Sequence, residues 1–520
     1  MTHGPVMLEP LTMATQLAML DWLVVALYLA MLLVTGWWFA RIDARDAGDF
    51  FLAGRSVPAW LAAVSVLATT QSAATFLGAP DSGYRGDYTY LGAVLAPVLA
   101  ALFVAYVLIP RFYAMRAATV YELLAERFDR RAMRWAGGMF LLGRVLSGGA
   151  RVYLAAIAIA MVAFSSIDAT SIILSIAGLM LASLALTLRG GLRSVIWNDL
   201  IQFIVYFGAA LAILAFLYLS IPASQADLVA ALRNTPEGVD KLRLFDLSFD
   251  LSHPFTLPAI LTGMFLLNVA NMGLDQDTTQ RLLASPDART GARGLILSAL
   301  ASVPVIAVFV TIGVLLYVFY NRPDLMGATH AAGATFAGEQ VTVFVHYILT
   351  EAPPGLRGLV TVGVTAAAVS TVTSALNSMS SVMVSDFYRP WRERRGTVPA
   401  RHFVHAGRWA MALVAVALFA MAVLSFYWQR HSDMPLLEFA LQVMVFAYAG
   451  LLGVYFVAVF TRRGTGASVV AALIGGFVTV LLLQPILLGA PPIAFPWQLC
   501  IGTLVATIIA ALPRGHATSA

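Results

Sequence analysis

The chain has 520 residues, of which 60% are hydrophobic and 11% charged, and its mean hydropathy is +0.83. Soluble domains carry roughly 25% charged residues, so a soluble globular protein is excluded, and the many runs of about 20 apolar residues predict a polytopic helical protein of the lipid bilayer. The net charge of +5 is no nucleic-acid signal: Lys241 is the single lysine, the arginines are scattered through short loops, and no basic run carries interleaved aromatics. The single cysteine, Cys500, excludes an intrachain disulfide and a Cys-based metal site.

Taken in chain order, Met1 to Gln16 lacks the basic start and small-residue cleavage site of a signal peptide, so the first helix is expected to be retained. Thirteen spans are expected, near 18–40, 58–79, 88–110, 133–164, 167–188, 194–220, 257–280, 291–319, 355–386, 403–427, 435–460, 467–488 and 495–512. The fold class is all-α. Alternate loops, starting after the first span, hold 23 of the lysines and arginines, whereas the other set holds 7. The positive-inside bias therefore puts the amino terminus outside and the carboxyl terminus in the cytoplasm of a cell membrane. The longest loops, 221–256 and 320–354, are then external and too small for independent domains. No Walker or other nucleotide-binding segment is visible, which argues against an ATP-driven pump.

The second span runs from Pro58 to Gly78, and its middle, Ala68 to Thr75, is small and polar. Thr69, Thr70, Ser72 and Thr75 have weak helix propensity. A helix unwound there frees main-chain carbonyls at mid-membrane depth, which is tolerated only beside protein or a cavity. Hydroxyls bonding back to their own helix are the alternative. In the ninth span, Ser370, Ser374, Asn377 and Ser381 recur at helical spacing with Thr373 beside them, and Thr371 points partly to another side. Lipid does not solvate such groups, and neutral oxygens suit a small hard cation that must bind and leave. Interhelical hydrogen bonding is again the alternative, but two such stripes invite pairing around an ion.

The sixth span opens with Gly190-Gly-Leu-Arg-Ser-Val-Ile-Trp-Asn-Asp199, which sets Asp199 about one turn into the apolar run. An intramembrane carboxylate is a functional candidate; pairing with Arg193 near the interface is the plainer reading. The seventh span carries Asn268, Asn271, Asp275 and Gln276, with Gly273 able to loosen the helix, and reads as a second interrupted helix or as an end already in water. Asp277 and Arg281 are expected at the interface. Arg144 and Arg151 lie seven apart in the fourth span. A buried arginine needs an anion, whether Asp199, another acidic residue or a substrate carboxylate gripped bidentately.

These segments together resemble the sodium:solute symporter family. The matching stretches are Phe51-Leu-Ala-Gly-Arg-Ser56, Gly190-Gly-Leu with Trp197-Asn-Asp-Leu-Ile-Gln202, Gln276 with Gln280-Arg281, and Ala366 to Tyr388 ending Ser-Asp-Phe-Tyr. The resemblance implies a leucine-transporter-like fold with two inverted five-helix repeats. A leading helix and loop would occupy 18–57, the first repeat 58–220, the second 257–460, and two C-terminal helices 467–512, with spans two and seven broken. It implies a sodium site made of the carbonyls of Ala68, Gln71 and Ala367 and the hydroxyls of Ser370 and Thr371. Gln71 stands where the family has an apolar residue, but only its backbone oxygen is implied as ligand. A second sodium ion would use Asp199, Ser370, Thr373 and Ser374. The substrate would meet Thr70, Ser72, Thr75, Asn268 and Asn271, with Arg144 or Arg151 on a carboxylate. Sugar-transporting members have aromatics where this chain has Asn271 and Met272, which argues against a sugar stacked on a ring.

The expected function is sodium-coupled uptake of a small organic solute, leaning to one that bears a carboxylate, by alternating access. Na+ is the coupling ion, one or two per cycle. The alternatives are a proton-coupled carrier of the same fold and a solute sensor that does not transport. A channel would need a continuous polar stripe on several helices. No enzymatic chemistry is expected, since no nucleophile with a base and no metal-ligand pair is visible.

Overall fold

The computed structural model describes residues 17–41, 46–164, 166, 168–188, 190–330, 335–336, 339–340, 342–429, 436–484 and 493–512. Arg45, Arg189, Arg430 and Arg514, which enter the loop count above, lie outside the described residues, as do 435 and 485–488 at the ends of two expected spans. Helix occupies each of the thirteen expected segments. Among the described residues nine helices are long and apolar enough to cross a membrane, or up to eleven with two bent pairs. The last two segments are shorter apolar helices, Gly466–Leu482 and Phe495–Ala511. The count of thirteen crossings thus stays an expectation. Among the described residues the β-structure is a two-residue strand pair, Thr335–Phe336 with Glu339–Gln340, and an isolated bridge between Asp246 and Thr256.

The second span is two helices, Ala59–Thr70 and Ala73–Arg85. Gln71 (φ −79°, ψ 127°) and Ser72 (φ −132°, ψ 174°) between them are extended. Hydroxyls compete with the ladder just before the break: Thr69 Oγ1 donates to Ser65 O at 2.7 Å and Thr70 Oγ1 to Leu67 O at 3.0 Å. The outer half then crosses the eighth span, Ala288–Asn321, backbone to backbone. A Cβ at Gly83 would collide with the Val310 carbonyl, and one at Gly313 with the Pro80 carbonyl. From the loop 221–256, Lys241 Nζ donates to Tyr84 O at 2.8 Å and Gly86 O at 2.7 Å. A cation at these terminal carbonyls suits the negative end of the helix.

The seventh span repeats the device. Leu257–Gly273 and Gln276–Leu283 meet at a 51° bend, with Asp275 extended between them and capping the Asp277 N–H at 2.9 Å. Gly273 is needed for packing, since a Cβ there would run into Leu108. The ninth span, Leu356–Val382, lies behind both breaks and continues through a π-helical turn, Met383–Tyr388.

The first span, Met19–Ala40, packs Tyr28 and Leu32 on Val362 and Ala366 of the ninth and is tied to its start by a buried carboxylate. Asp21 Oδ1 accepts the N–H groups of Gly355 and Gly358, each at 2.7 Å, at the start of the ninth helix. Asp21→Ala strands two donors, each costing about 1–3 kcal/mol when buried without a partner. Thermal unfolding of the purified protein is expected several degrees lower for Asp21→Ala, and less shifted for Asp21→Asn, which keeps one acceptor oxygen.

Candidate functional site

The break at Gln71–Ser72 leaves the last carbonyls of the inner half without intrahelical donors. They face the ninth span, where Ser370 Oγ lies 3.4 Å from Ala68 O. Ala68, Gln71, Ala367 and Ser370 line one small cavity of about 10 Å³ together with Gln202, Phe203 and Tyr206 of the sixth span. That volume suits about one water molecule or one ion. Thr371 is buried but does not line the cavity; its hydroxyl donates to Ala367 O at 3.0 Å. The sixth-span wall was not anticipated, although Gln202 stands in a matching motif. Its Oε1 accepts the Tyr28 hydroxyl at 2.6 Å.

Beside this cavity Asp199 is fully buried. Its Oδ1 accepts from Ser370 Oγ at 2.6 Å, and its Oδ2 accepts from Ser65 Oγ at 2.5 Å and from Arg281 Nη2 at 3.1 Å. Arg193, the partner considered above, instead reaches toward Ala53 O at 3.5 Å. Arg281 and Asp277 are not interfacial, as the sequence had suggested; they are 0% and 1% exposed. The hydrophilic stretch Gln276 to Arg281 is buried in protein, because the second half of the seventh span turns inward at the break. Arg281 also bonds Ser374 Oγ, which lies 3.3 Å from Thr69 Oγ1. Thr373 Oγ1 donates to Ser370 O at 3.0 Å, so its lone pairs are free.

A chain of charges continues from there. Arg281 Nη1 is 3.6 Å from Asp277 Oδ1, Arg144 pairs with Asp277 Oδ2, and Arg144 Nη1 is 3.4 Å from Asp275 Oδ2. Tyr448 of the eleventh span, Leu436–Phe460, donates to Asp275 Oδ2 at 2.5 Å and reaches Asn271 Oδ1 at 3.5 Å. Tyr448 carried no sequence signal, being one aromatic in an apolar run.

Asn271 opens onto the main cavity, of about 130 Å³, between the two broken helices. Thr70, Gln71, Ser72, Thr75, Asn268, Asn271 and Arg151 line it, with Tyr90, Ser298, Ser302, Leu441 and Met444. Six of the seven expected substrate residues are thus brought together. Arg144 is the exception: it does not line the cavity and is committed to Asp275 and Asp277. Arg151 is 8% exposed and its Nη2 lies 3.1 Å from Met444 Sδ. Among the described residues no carboxylate lies within ion-pair distance of it. Gln71 lines both cavities, and its side-chain Oε1 has no hydrogen-bond partner among the described residues.

Known proteins share the family and the fold. The model of the sodium:solute symporter family matches residues 50–476. A sodium/sialic acid symporter of Proteus mirabilis (strain HI4320) is 29% identical over 462 residues, 87% of each chain. One of Aliivibrio fischeri (strain ATCC 700601 / ES114) is 26% identical over 94% of this chain and 92% of its own. A substrate-bound, outward-open structure of a Na+-coupled sialic acid symporter superposes with a TM-score of 0.79 over 96% of this chain and 99% of its own, at 24% identity, which establishes a shared fold. A nucleobase-cation transporter in a closed conformation shares it more distantly, with a TM-score of 0.54 at 15% identity over 89% of this chain and 92% of its own. The chain belongs to the sodium:solute symporter family.

Proposed function

We propose that this sodium-coupled symporter imports a small solute bearing a carboxylate, bound between the broken helices with the carboxylate on Arg151. The observation that carries this reading is the Arg151 guanidinium, set in the wall of a polar cavity with no acidic partner among the described residues. A buried cation of that kind is costly until an anion arrives, and guanidinium grips a carboxylate through two parallel bonds. Asn268, Asn271, Thr70, Ser72 and Thr75 supply donors and acceptors for the rest of the solute. Two sodium-coupled sialic acid symporters among the relatives are named for a solute that is both a carboxylate and a polyol, so sialic acid is the first solute to test.

Sodium is assigned to the small cavity at Ala68, Gln71, Ala367 and Ser370, with Thr371 joining once it turns from Ala367. An ion there ties the inner half of the second span to the ninth span and favours the outward-facing state. A second ion at Asp199, Ser370, Thr373 and Ser374 would share Asp199 with Arg281. Each ion entering gains about 2.3 kcal/mol per 100 mV of membrane potential. The paired breaks support a division into two repeats, 58–220 and 257–460, and the arginine bias supports an external amino terminus and a cytoplasmic carboxyl terminus.

Two variants separate the roles of the fourth-span arginines. Arg144→Met removes the cation paired with Asp275 and one of the two paired with Asp277, and should destabilise the protein by about 3–5 kcal/mol. Arg151→Met removes an unpaired charge, so the solute-free protein should melt no lower than the parent while solute-dependent stabilisation disappears. An Arg151→Met protein that still takes up carboxylates at parental KM would overturn the assignment.

Ion coupling is tested by thermal stability in sodium against potassium or choline, with a panel of carboxylates, amino acids and sugars. A sodium-specific shift that grows with one carboxylate is expected. Ser370→Ala should raise the half-saturating sodium concentration about tenfold, equivalent to the roughly 1.4 kcal/mol of one good ligand. No sodium dependence in a folded sample would count against the site.

A further inference from the structure

The fourth span, Arg130–Phe164, and the chain that leaves the ninth span, Met383–Tyr388 and Arg389–Glu393, enclose a groove of about 730 Å³ at the arginine-rich end of the molecule. Arg134 and Leu141 line it on one side, and Met383, Phe387, Tyr388, Trp391 and Arg394 on the other. Arg134, Gly138 and Leu141 follow one face of the fourth span at helical spacing. A Cβ at Gly138 would meet nothing within 4 Å, so the glycine keeps open space between the arginine and the leucine. Leu141 stands about 10 Å further along the helix than Arg134. The groove lies on the outer flank of the bundle, where Leu142 and Trp391 are each 46% exposed. Apolar side chains exposed on a spanning helix face lipid tails.

The polar end of the groove carries positive charge alone. Arg134 Nε is buried and has no hydrogen-bond partner among the described residues. Arg394 also borders a neighbouring cavity that holds Glu122, Glu126, Asp386 and Glu393. Glu393 is held by Arg389 at 2.8 Å, and among the described residues no carboxylate lies within ion-pair distance of Arg134 or Arg394. A third guanidinium, that of Arg395, stacks over the Trp391 ring at 4.0 Å. The Tyr388 hydroxyl is taken up by His402 Nε2 at 2.8 Å. The remaining lining side chains, Leu141, Met383, Phe387 and the rings of Tyr388 and Trp391, are apolar or aromatic. The groove thus has a cationic head and an apolar trough, with a tryptophan at its rim as at many membrane–water interfaces.

We propose that this groove binds one anionic glycerophospholipid, its phosphate on Arg134 and Arg394 and an acyl chain laid over Gly138 and Leu141. Guanidinium meets phosphate oxygens through paired, charge-assisted bonds, and a partly buried arginine without a counter-charge is completed by an anion. A free inorganic anion would leave the trough unfilled. A zwitterionic headgroup would bring an ammonium against three guanidiniums, so the site selects a lipid of net negative charge. With the orientation proposed above, the headgroup lies in the cytoplasmic leaflet, where basic clusters between spanning helices recognise anionic lipids. The bound lipid bridges the fourth span to the segment that follows the ninth, and so stabilises the fold whichever solute the protein carries.

The test is the melting temperature of the full chain, delipidated in a non-ionic detergent and titrated with dioleoyl-phosphatidylglycerol, dioleoyl-phosphatidylcholine or inorganic phosphate. Phosphatidylglycerol should raise it by several degrees, and the other two by less than a third as much. The double variant Arg134→Gln with Arg394→Gln should raise the half-saturating phosphatidylglycerol concentration tenfold or more. Gly138→Leu fills the trough, keeps both arginines, and should abolish the selective shift. Arg131→Gln, on the same helix but outside the groove, should leave it within twofold of the parent. Equal shifts with the two lipids would mean unselective coating of the flank, and a shift reproduced by inorganic phosphate would mean a free-anion site; either overturns the proposal. So does a phosphatidylglycerol shift that survives in a groove variant melting like the parent, or the lack of a selective shift in the parent itself. If one groove variant fails to fold, the other decides.

Discussion

The centre of the molecule depends on one fully buried guanidinium. Arg281 belongs to the second half of the seventh span, yet it bonds Ser65 of the second span at 2.8 Å, Asp199 of the sixth at 3.1 Å and Ser374 of the ninth. Its own backbone neighbour Asp277 O accepts from Nη1 at 2.5 Å. A charge at membrane depth must have all its donors met, and those acceptors come from four different spans. The chain turns at Asp275 to deliver Arg281 to them, so the break in the seventh span and the burial of its polar second half have one cause. The same contacts hold Ser65 and Ser370 on either side of Asp199, and so fix the wall shared with the small cavity at Ala68 and Ser370.

Much of this was legible from the residues, and the reasons for the remainder are physical. Apolar run length places helix correctly at each expected span because lipid imposes it. Threonine and serine next to small residues revealed the break at Gln71–Ser72, since hydroxyls compete for backbone groups whatever the tertiary context. Asp277 and Arg281 were misread because hydropathy alone does not tell a polar segment in water from one satisfied by other helices. The partners of Arg281, which are Ser65, Asp199 and Ser374, lie 82 to 216 positions away. Tyr448 and Tyr206 were invisible for the opposite reason, being aromatics in apolar runs whose hydroxyl direction only packing decides. The choice between Arg144 and Arg151, seven residues apart on similar faces, likewise turned on where Asp275 and Asp277 stand after the bend.

Charge balance then links the two ends of the site. The buried chain holds three carboxylates, Asp199, Asp275 and Asp277, against two guanidiniums, Arg144 and Arg281. It carries one excess negative charge, and Arg151, on the cavity wall nearby, supplies one positive charge without contact to it. Without ligands the ensemble is neutral overall but separated, with the deficit near Asp199 or Asp275 and the surplus at the pocket. A sodium ion alone makes it positive, and a carboxylate solute alone makes it negative, each in surroundings of low dielectric where net charge is expensive. The two together leave it neutral and cancel the separation as well. With the ion and solute sites proposed above, sodium would favour an anionic solute over a neutral one of the same shape, and the solute would favour sodium to the same degree, because a coupling free energy is reciprocal. Closure around the filled site, in which water leaves and the dielectric falls further, strengthens that preference at the step where the protein commits to transport.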